Sequence, residues 1–361
     1  MNIHRRNIFR AGLTAGAALA MSGISPRRGE AAEIAAGPTQ PFRAFEMTTT
    51  VDLANADGAA QLWLPLFQAA GGYQKLLGVS WEGSGTVQFD RDPAYGARLL
   101  HARWDNASAP QSITLIQRVA TSERSAVDAS FAATAAERAF WTQPSAGIPT
   151  DGIVRDTARR IVGNLTDPKE QLRAIYNWVV ATTWRDAATP GCGVGDVAAM
   201  LKDQHFGGKC VDINSLMVAL SRAAGLPARD VYGIRLADSK LFKSLGRSGD
   251  ITGAQHCRAE VYLESDGWFP VDPADVRKAV LEEKLPVDHP EIVKLAEHLF
   301  GAWESNWAGY NSATGITLAD APHTPNFDFL MYPCAMTAKS IFDCLDAAHF
   351  KYKIASQEIS I

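Results

Sequence analysis

Three residues of this 361-residue chain have the types, and fall at the places, that covalent acyl chemistry requires. Cys210 follows Gly207-Gly208-Lys209 and opens a run in which Ile213, Leu216, Met217, Leu220 and Ala224 recur at helical spacing. A thiol at a helix N-terminus is shifted toward thiolate, because unpaired N–H groups and the helix dipole stabilise negative charge there. His256 opens a strand-like alternation, and Asp272 closes its partner strand after the turn Ser265-Asp266-Gly267. A hairpin brings positions 256 and 272 to the same end of its ladder. An imidazole there can pair with the thiolate and protonate a leaving amine, while a carboxylate behind it fixes its tautomer and orientation. Backbone N–H groups at the helix start can hold a developing oxyanion. Each residue alone has a plainer reading: a small buried hydrophobe, a strand-end histidine, a turn-former before Pro273. Their conjunction favours the chemistry.

The elements that must position these groups are legible in outline. The thiol helix stops at Gly225, a suitable C′ residue, with Pro227 just beyond. A short strand at 231–236 follows it, then a polar Ser/Gly/Lys-containing stretch, 238–254, with the composition of a mobile flap. In 257–263, Ala259, Val261 and Leu263 alternate with Arg258, Glu260 and Tyr262. Upstream, Asp167 and Pro168 suit the N-cap and first turn of a helix carrying Leu172, Ile175, Tyr176 and Val179. Between 43 and 124 the pattern changes to short strand-like segments, 45–53, 76–81, 86–89, 98–104 and 112–119, separated by turn signals. That spacing predicts an antiparallel β-sandwich of immunoglobulin-like type, with structural support its expected role. Prolines and glycines in 143–152 read as a linker. The C-terminal part offers a helix at 291–300, aromatic residues Trp303, Trp307 and Tyr310, and strand-like 329–332 and 352–354. The expected organisation is a leader over 1–36, the sandwich over 37–142, a catalytic core over 143–280, and an extension over 281–361 packed on that core.

Composition bounds the rest. Hydrophobic residues make up 47% and charged residues 20%, as in ordinary globular proteins. A net charge of −4 without a long basic block gives no reason to expect nucleic acid. Arg5, Arg6 and Phe9 precede an apolar run over 11–23 that is shorter than the roughly 20 residues of a membrane span. This pattern is that of a twin-arginine export signal, with cleavage near Ala31 or Ala32, and implies the twin-arginine machinery as partner and a periplasmic or secreted protein. Cleavage after Ala31 removes five arginines and Glu30, taking the net charge from −4 to −8. Of the five cysteines, Cys334 and Cys344 are candidates for a disulfide in an oxidising compartment. No C-x-x-C pair occurs, so neither a metal nor another cofactor is expected; the mixed set Cys192, Cys210, His256 and Cys257 is the one weak metal alternative. No D-x-[DN]-x-[DN]-G calcium loop occurs either.

Gly208-Lys209-Cys210-Val211-Asp212, running on to Ala223-Ala224-Gly225-Leu226-Pro227-Ala228-Arg229, resembles the nucleophile helix of the transglutaminase-like superfamily. The segment His256-Cys257-Arg258-Ala259-Glu260-Val261-Tyr262, with Gly267-Trp268 and Val271-Asp272-Pro273, is similar to the family's histidine–aspartate hairpin. The resemblance covers roughly residues 150–280 and implies an α+β fold with a papain-like core and Cys210, His256 and Asp272 as triad. Lys209 stands where the family often has an acidic residue, and Arg258 where it usually has tryptophan; both departures are expected to alter the substrate groove without touching the triad. Gln204 lies where papain-like enzymes can place an oxyanion-hole amide; Trp184 and the C-terminal aromatics could line an acyl groove, with buried packing the favoured role. The implied activity is that of an exported cysteine acyl-transfer enzyme acting on a peptide or protein amide, with hydrolysis favoured. The alternatives are a protein cross-linking transglutaminase and a non-enzymatic binding scaffold.

Overall fold

The computed structural model describes residues 41–53, 56–106, 110–126 and 132–360; the expected leader lies outside them. Among the described residues no helix is long and apolar enough to cross a membrane. The strand Ser112–Thr121 shows why the first region folds as it does. Its Ile113, Leu115 and Val119 point one way at a spacing of two, and all three are buried. It lies between Arg43–Asp52 and Gln74–Gly83 in a five-stranded antiparallel sheet. A second antiparallel sheet of four strands contains Ala60–Pro65, Arg98–Trp104 and Thr86–Arg91. Val51, Ile113 and Leu115 of the first sheet share a core with Leu62, Leu64, Leu100 and Ala102 of the second, so the two form a sandwich. Gln117 links them, accepting from Phe67 N–H at 2.9 Å and donating to Pro65 O at 3.1 Å.

The sandwich is completed by distant residues. Lys351–Ile359 pairs antiparallel with Arg43–Asp52 along nine residues, and Cys334–Thr337 pairs with Ala60–Pro65. The chain's last strands therefore belong to the first region's sheets and do not only pack on the core. Residues 329–332, expected as strand, lie outside any ladder. Their aromatics are satisfied by stacking instead, Phe329 lying 5.1 Å from Tyr232 between ring centroids. The strand Ala60–Pro65, with no clean alternation, was not anticipated.

The second region sets the helix Cys210–Ala223 against a four-stranded antiparallel sheet ordered Gly267–Val271, Gln255–Leu263, Ala228–Arg235, Trp307–Asn311. Residues 210–222 of that helix are all buried, which its own amphipathic stripe does not require; the helices Gly152–Val162 and Pro168–Thr182 cover the rest of its surface. Pro168–Thr182 begins as the sequence indicates, with Asp167 accepting from Lys169 and Glu170 N–H at 2.9 Å each. The hairpin register pairs Leu263 with Gly267 and Ala259 with Val271, so Asp272 emerges beside Arg258.

Both faces of Gln255–Leu263 are buried. On one, Glu260 is held by Arg124 of the first region and by Arg229 at 2.6 Å. Arg124 also donates to Trp268 O at 2.6 Å and lies over the rings of Tyr73 and Trp303. This buried cation fastens the sandwich to the core. The expected flap over 238–254 is fastened too. Gly249–Asp250 pairs with the last strand, Ser239 donates to Glu304 at 2.6 Å, Ser244 N–H donates to Glu283 at 2.8 Å, and Leu245 is buried.

Candidate active site

The site begins at the first residue of the helix Cys210–Ala223. Asp212, two positions on, turns its carboxylate back and accepts from Lys209 N–H at 2.9 Å, Val194 N–H at 3.0 Å and Gly195 N–H at 2.9 Å. That carboxylate satisfies the Lys209 N–H at the helix start and draws the 191–195 loop across it. Gly193 has φ +88°, and any Cβ there would run into the Asp212 carboxylate. Val211 N–H donates to Cys192 O at 3.0 Å, which brings the Cys192 side chain to the Cys210 thiol.

His256 approaches from the sheet. Its Nε2 meets Asp272 Oδ2 at 2.8 Å and lies 3.4 Å from Asp275 Oδ1. Nδ1 is then the nitrogen left to face Cys210, whose thiol hydrogen-bonds the ring. Trp307 Nε1 donates to His256 O at 2.9 Å and fixes the backbone behind the imidazole. Asp272 caps the helix Pro273–Glu282 by accepting from Asp275 N–H at 3.1 Å. Asn214, one turn along from Cys210, donates to Cys257 O at 2.9 Å and lies 3.5 Å from Asp272 Oδ1, joining thiol helix to hairpin. The structure thus brings Cys210, His256 and Asp272 together.

Neighbouring charges set the protonation states. Hydrogen bonds from Cys192 and Cys257, then the hydrogen bond and charge of His256, hold the Cys210 thiol well below its ordinary value, although burial opposes them. Burial and Arg235 push His256 down, but Asp275 and Asp272 outweigh both and raise it to about 10. Both directions favour a thiolate–imidazolium pair. Asp275 is pushed up by burial yet held well below the carboxylate range by Arg235 and His256. Arg235 grips it with two bonds, at 2.5 and 3.1 Å. Asp272, with burial first and Asp275 second against it, is raised.

Several sequence expectations change here. Arg258 does touch the candidate triad: its Nε lies 3.4 Å from Asp272 Oδ2, while the guanidinium rests over Trp307 and donates to Glu304 O at 3.1 Å. It backs the carboxylate and lines no groove. Gln204 ends the helix Val197–Asp203 in a left-handed conformation, φ 53°, and its amide folds back to Leu201 O at 2.6 Å, so it offers no oxyanion donor. The aromatics take the favoured packing role: Trp184 packs edge-on against His205, and Trp303, Trp307 and Tyr310 are core. Cys334 and Cys344 are both free thiols. The mixed cysteine–histidine set is a hydrogen-bonded thiol cluster. The tighter acidic group, His256, Asp272 and Asp275, has donor atoms within 4.8 Å of one another, but Arg235 and Arg258 already face its carboxylates.

Residues that sequence reasoning missed are Asp275, Arg235, Asn214 and Gln255. Asp275 had a signal, since three positions past an N-cap aspartate it must share the same helix end. Gln255 had another. It alternates with His256 and so shares the face of Cys257, which contacts Cys210. Its Nε2 is buried at the edge of the cleft with no hydrogen-bond partner among the described residues.

Fold and site together are those of a cysteine-dependent enzyme fold of mixed α and β structure. Residues 155–273 match the family model of the transglutaminase-like superfamily. An uncharacterised protein of Haemophilus influenzae is 33% identical over 341 residues, spanning 87% of this chain and 91% of its own. A suspected cysteine protease from Cytophaga hutchinsonii shares the fold with a TM-score of 0.53 at 14% identity, over 89% of this chain and 92% of that one. The periplasmic domain of TgpA from Pseudomonas aeruginosa is more distant, with a TM-score of 0.35 at 15% identity over 67% of this chain and 94% of its own. The chain belongs to the transglutaminase-like superfamily.

Proposed function

We propose that this protein is an exported cysteine acyl-transfer enzyme that opens an amide or peptide bond through a thioester on Cys210. The observation that carries the reading is the buried line Cys210–His256–Asp272, with its thiol lowered and its imidazole raised. The Cys210 thiolate attacks the carbonyl carbon. The oxygen takes up the negative charge against two donors: Cys210 N–H, in the first turn where no intrahelical acceptor exists, and the unpartnered Gln255 Nε2. The His256 imidazolium gives its proton to the departing amine, and the C–N bond breaks. The neutral imidazole then takes a proton from water as the oxygen attacks the thioester, releasing a carboxylic acid and restoring the thiolate pair. Asp272 holds the ring through both steps, with Asp275 and Arg235 fixing the charge behind it.

Hydrolysis, as in a cysteine peptidase or amidase, is favoured over transfer to a second amine. Cys210 opens onto a cleft of about 670 Å³, wide enough for water to reach the thioester. The paired arginines at positions 5 and 6 support export by the twin-arginine route to the periplasm or beyond. A peptide-library digestion followed by mass spectrometry tests the reading. Cys210→Ala should abolish turnover and leave thermal unfolding nearly unchanged; His256→Ala should also abolish turnover, with a lowered unfolding temperature because Asp272 and Asp275 lose their cation, and the two should combine without further loss of activity. Additive losses, or an unfolded Cys210→Ala protein with no turnover by the parent, would overturn it.

A further inference from the structure

The cleft outside Cys210 has two unlike halves. On one side stand Arg185, the turn Lys243–Leu245, Arg247 and the helix Pro273–Glu282; Lys209 adds a cation at the mouth of the thiol helix. Six lysine and arginine side chains line the cleft besides His256, against two carboxylates, Glu282 and Glu283. This is an uneven placement in a chain of net charge −4. Some of the charge is already matched. Arg235 is bound to Asp275, and Arg185 and Lys278 share Glu282 at 3.3 and 2.5 Å. Lys209, Lys243 and Arg247 make no close ion pair among the described residues, although Lys243 acts on Glu283 and Arg247 on Asp250 from farther off; Lys243 and Arg247 are exposed on the rim. The other half is apolar: Leu345, Phe350 and Tyr352, with Tyr332, gather where Gly191 leaves room for the Leu345 side chain. Tyr352 donates to Cys344 O at 2.9 Å and keeps that wall in place.

Resting on the amide-opening reading above, we propose that the cleft selects substrates that carry a carboxylate next to the scissile amide and an apolar group on its other side. The carboxylate lies against Lys243, Arg247 and Lys209, and the apolar group against Leu345, Phe350 and Tyr352. Unpaired cations on a concave wall raise the local concentration of an anion and orient it, an effect that salt screens. An acidic side chain and a chain-terminal carboxylate share this chemistry.

Two alkylating reagents of similar size read the field without requiring turnover. Rates at Cys210 are measured with iodoacetate and with neutral iodoacetamide, in the full chain and in Lys243→Glu/Arg247→Glu, whose altered side chains lie on the surface. Because the imidazolium also attracts an anion, the decisive quantity is the change in the iodoacetate-to-iodoacetamide ratio between the two proteins. That ratio should fall about fivefold in the variant at low ionic strength, and the difference should vanish in about 0.5 M salt. An unchanged ratio with rapid iodoacetamide labelling of Cys210 overturns the anion site and leaves the nucleophile standing. Failure of iodoacetamide to label Cys210 ahead of the other cysteines overturns the nucleophile itself. A second arm measures protection of Cys210 by acetyl-Leu-Glu-amide, by its uncharged counterpart acetyl-Leu-Gln-amide, and by acetyl-Leu-Leu with a free carboxyl terminus. Protection by the glutamyl peptide assigns the site to acidic side chains, and protection by the free terminus assigns it to chain ends. No protection by either, or equal protection by the glutaminyl peptide, overturns the proposal.

Discussion

Replacing Asp230 by asparagine should stabilise this protein at high pH and leave it almost unaffected at low pH. Asp230 sits in the strand Ala228–Arg235, is 2% exposed, and faces the thiol helix, where Ser215 donates to its Oδ2 at 2.9 Å. Its Oδ1 has no partner among the described residues. Burial raises the carboxyl from 3.8 to about 7, against the hydrogen bond from Ser215 and the charge of Arg222. A raised acid makes the folded state bind more protons than the unfolded chain. Stability is therefore full below the unfolded value near 3.8 and is lost as pH rises through the folded value near 7. The difference between those values corresponds to a loss on the order of 4 kcal/mol above pH 7. Asparagine cannot ionise, and its Oδ1 still accepts from Ser215. Guanidinium unfolding of parent and variant, followed by tryptophan fluorescence at several pH values, isolates the effect, because every other titrating group cancels in the difference. The variant's advantage should be near zero around pH 4 and grow through pH 5 to 7, reaching a few kcal/mol at pH 8. An advantage independent of pH, or a variant less stable than the parent at pH 8, would refute the reasoning.

Four further outcomes are expected. Gln255→Leu should lower kcat by about 10²- to 10³-fold with little change in KM, as for loss of one oxyanion donor, while unfolding is unchanged or slightly delayed because an orphaned buried donor has gone; peptide-turnover kinetics and a thermal scan decide it. Iodoacetamide labelling of Cys210 should hold nearly constant from about pH 6.5 to 9, a range over which an ordinary thiol near 8.5 gains roughly 75-fold and levels off only near its midpoint; a midpoint near 9 in peptide mapping contradicts the ion pair. Glu260→Gln leaves Arg124 and Arg229 without their buried anion and should cost about 3–5 kcal/mol, seen as a lower denaturation midpoint. Arg5→Lys with Arg6→Lys should keep the chain uncleaved in the cytoplasm, and cell fractionation that finds it exported removes the twin-arginine assignment.

The Cys210 helix and the hairpin were legible because local rules define them. Ile213, Leu216, Met217 and Leu220 keep helical spacing, Gly225 takes φ +89°, and residues 264–266 form the tight turn that leads into Gly267. From these, the convergence of Cys210, His256 and Asp272 followed. What the sequence hid depends on partners far along the chain. Arg258 was read as a groove residue because nothing local indicates that Trp303, Trp307 and Asp272 enclose it. Gln204 was placed by its distance from Cys210, but a left-handed backbone at that residue turns the amide away. The stretch 238–254 has the composition of a loose loop; its order comes from Glu304, Glu283 and the last strand, none of which is nearby in sequence.

The pairing of Lys351–Ile359 with both Arg43–Asp52 and Gly249–Asp250 has a consequence for how the protein is made. During synthesis the thiol helix and the hairpin leave the ribosome well before residues 351–359. Until those residues arrive, the first strand has an open edge and the segment leading into His256 lacks its backbone partners at 249–251. Phe350 and Tyr352, which wall the cleft, arrive at the same late stage. Cys210 and His256 can therefore be in place on a nascent chain while the cleft beside them is still missing a side. Completion of the pocket is timed by translation, and it coincides with closure of the sheet that joins the two ends of the described chain.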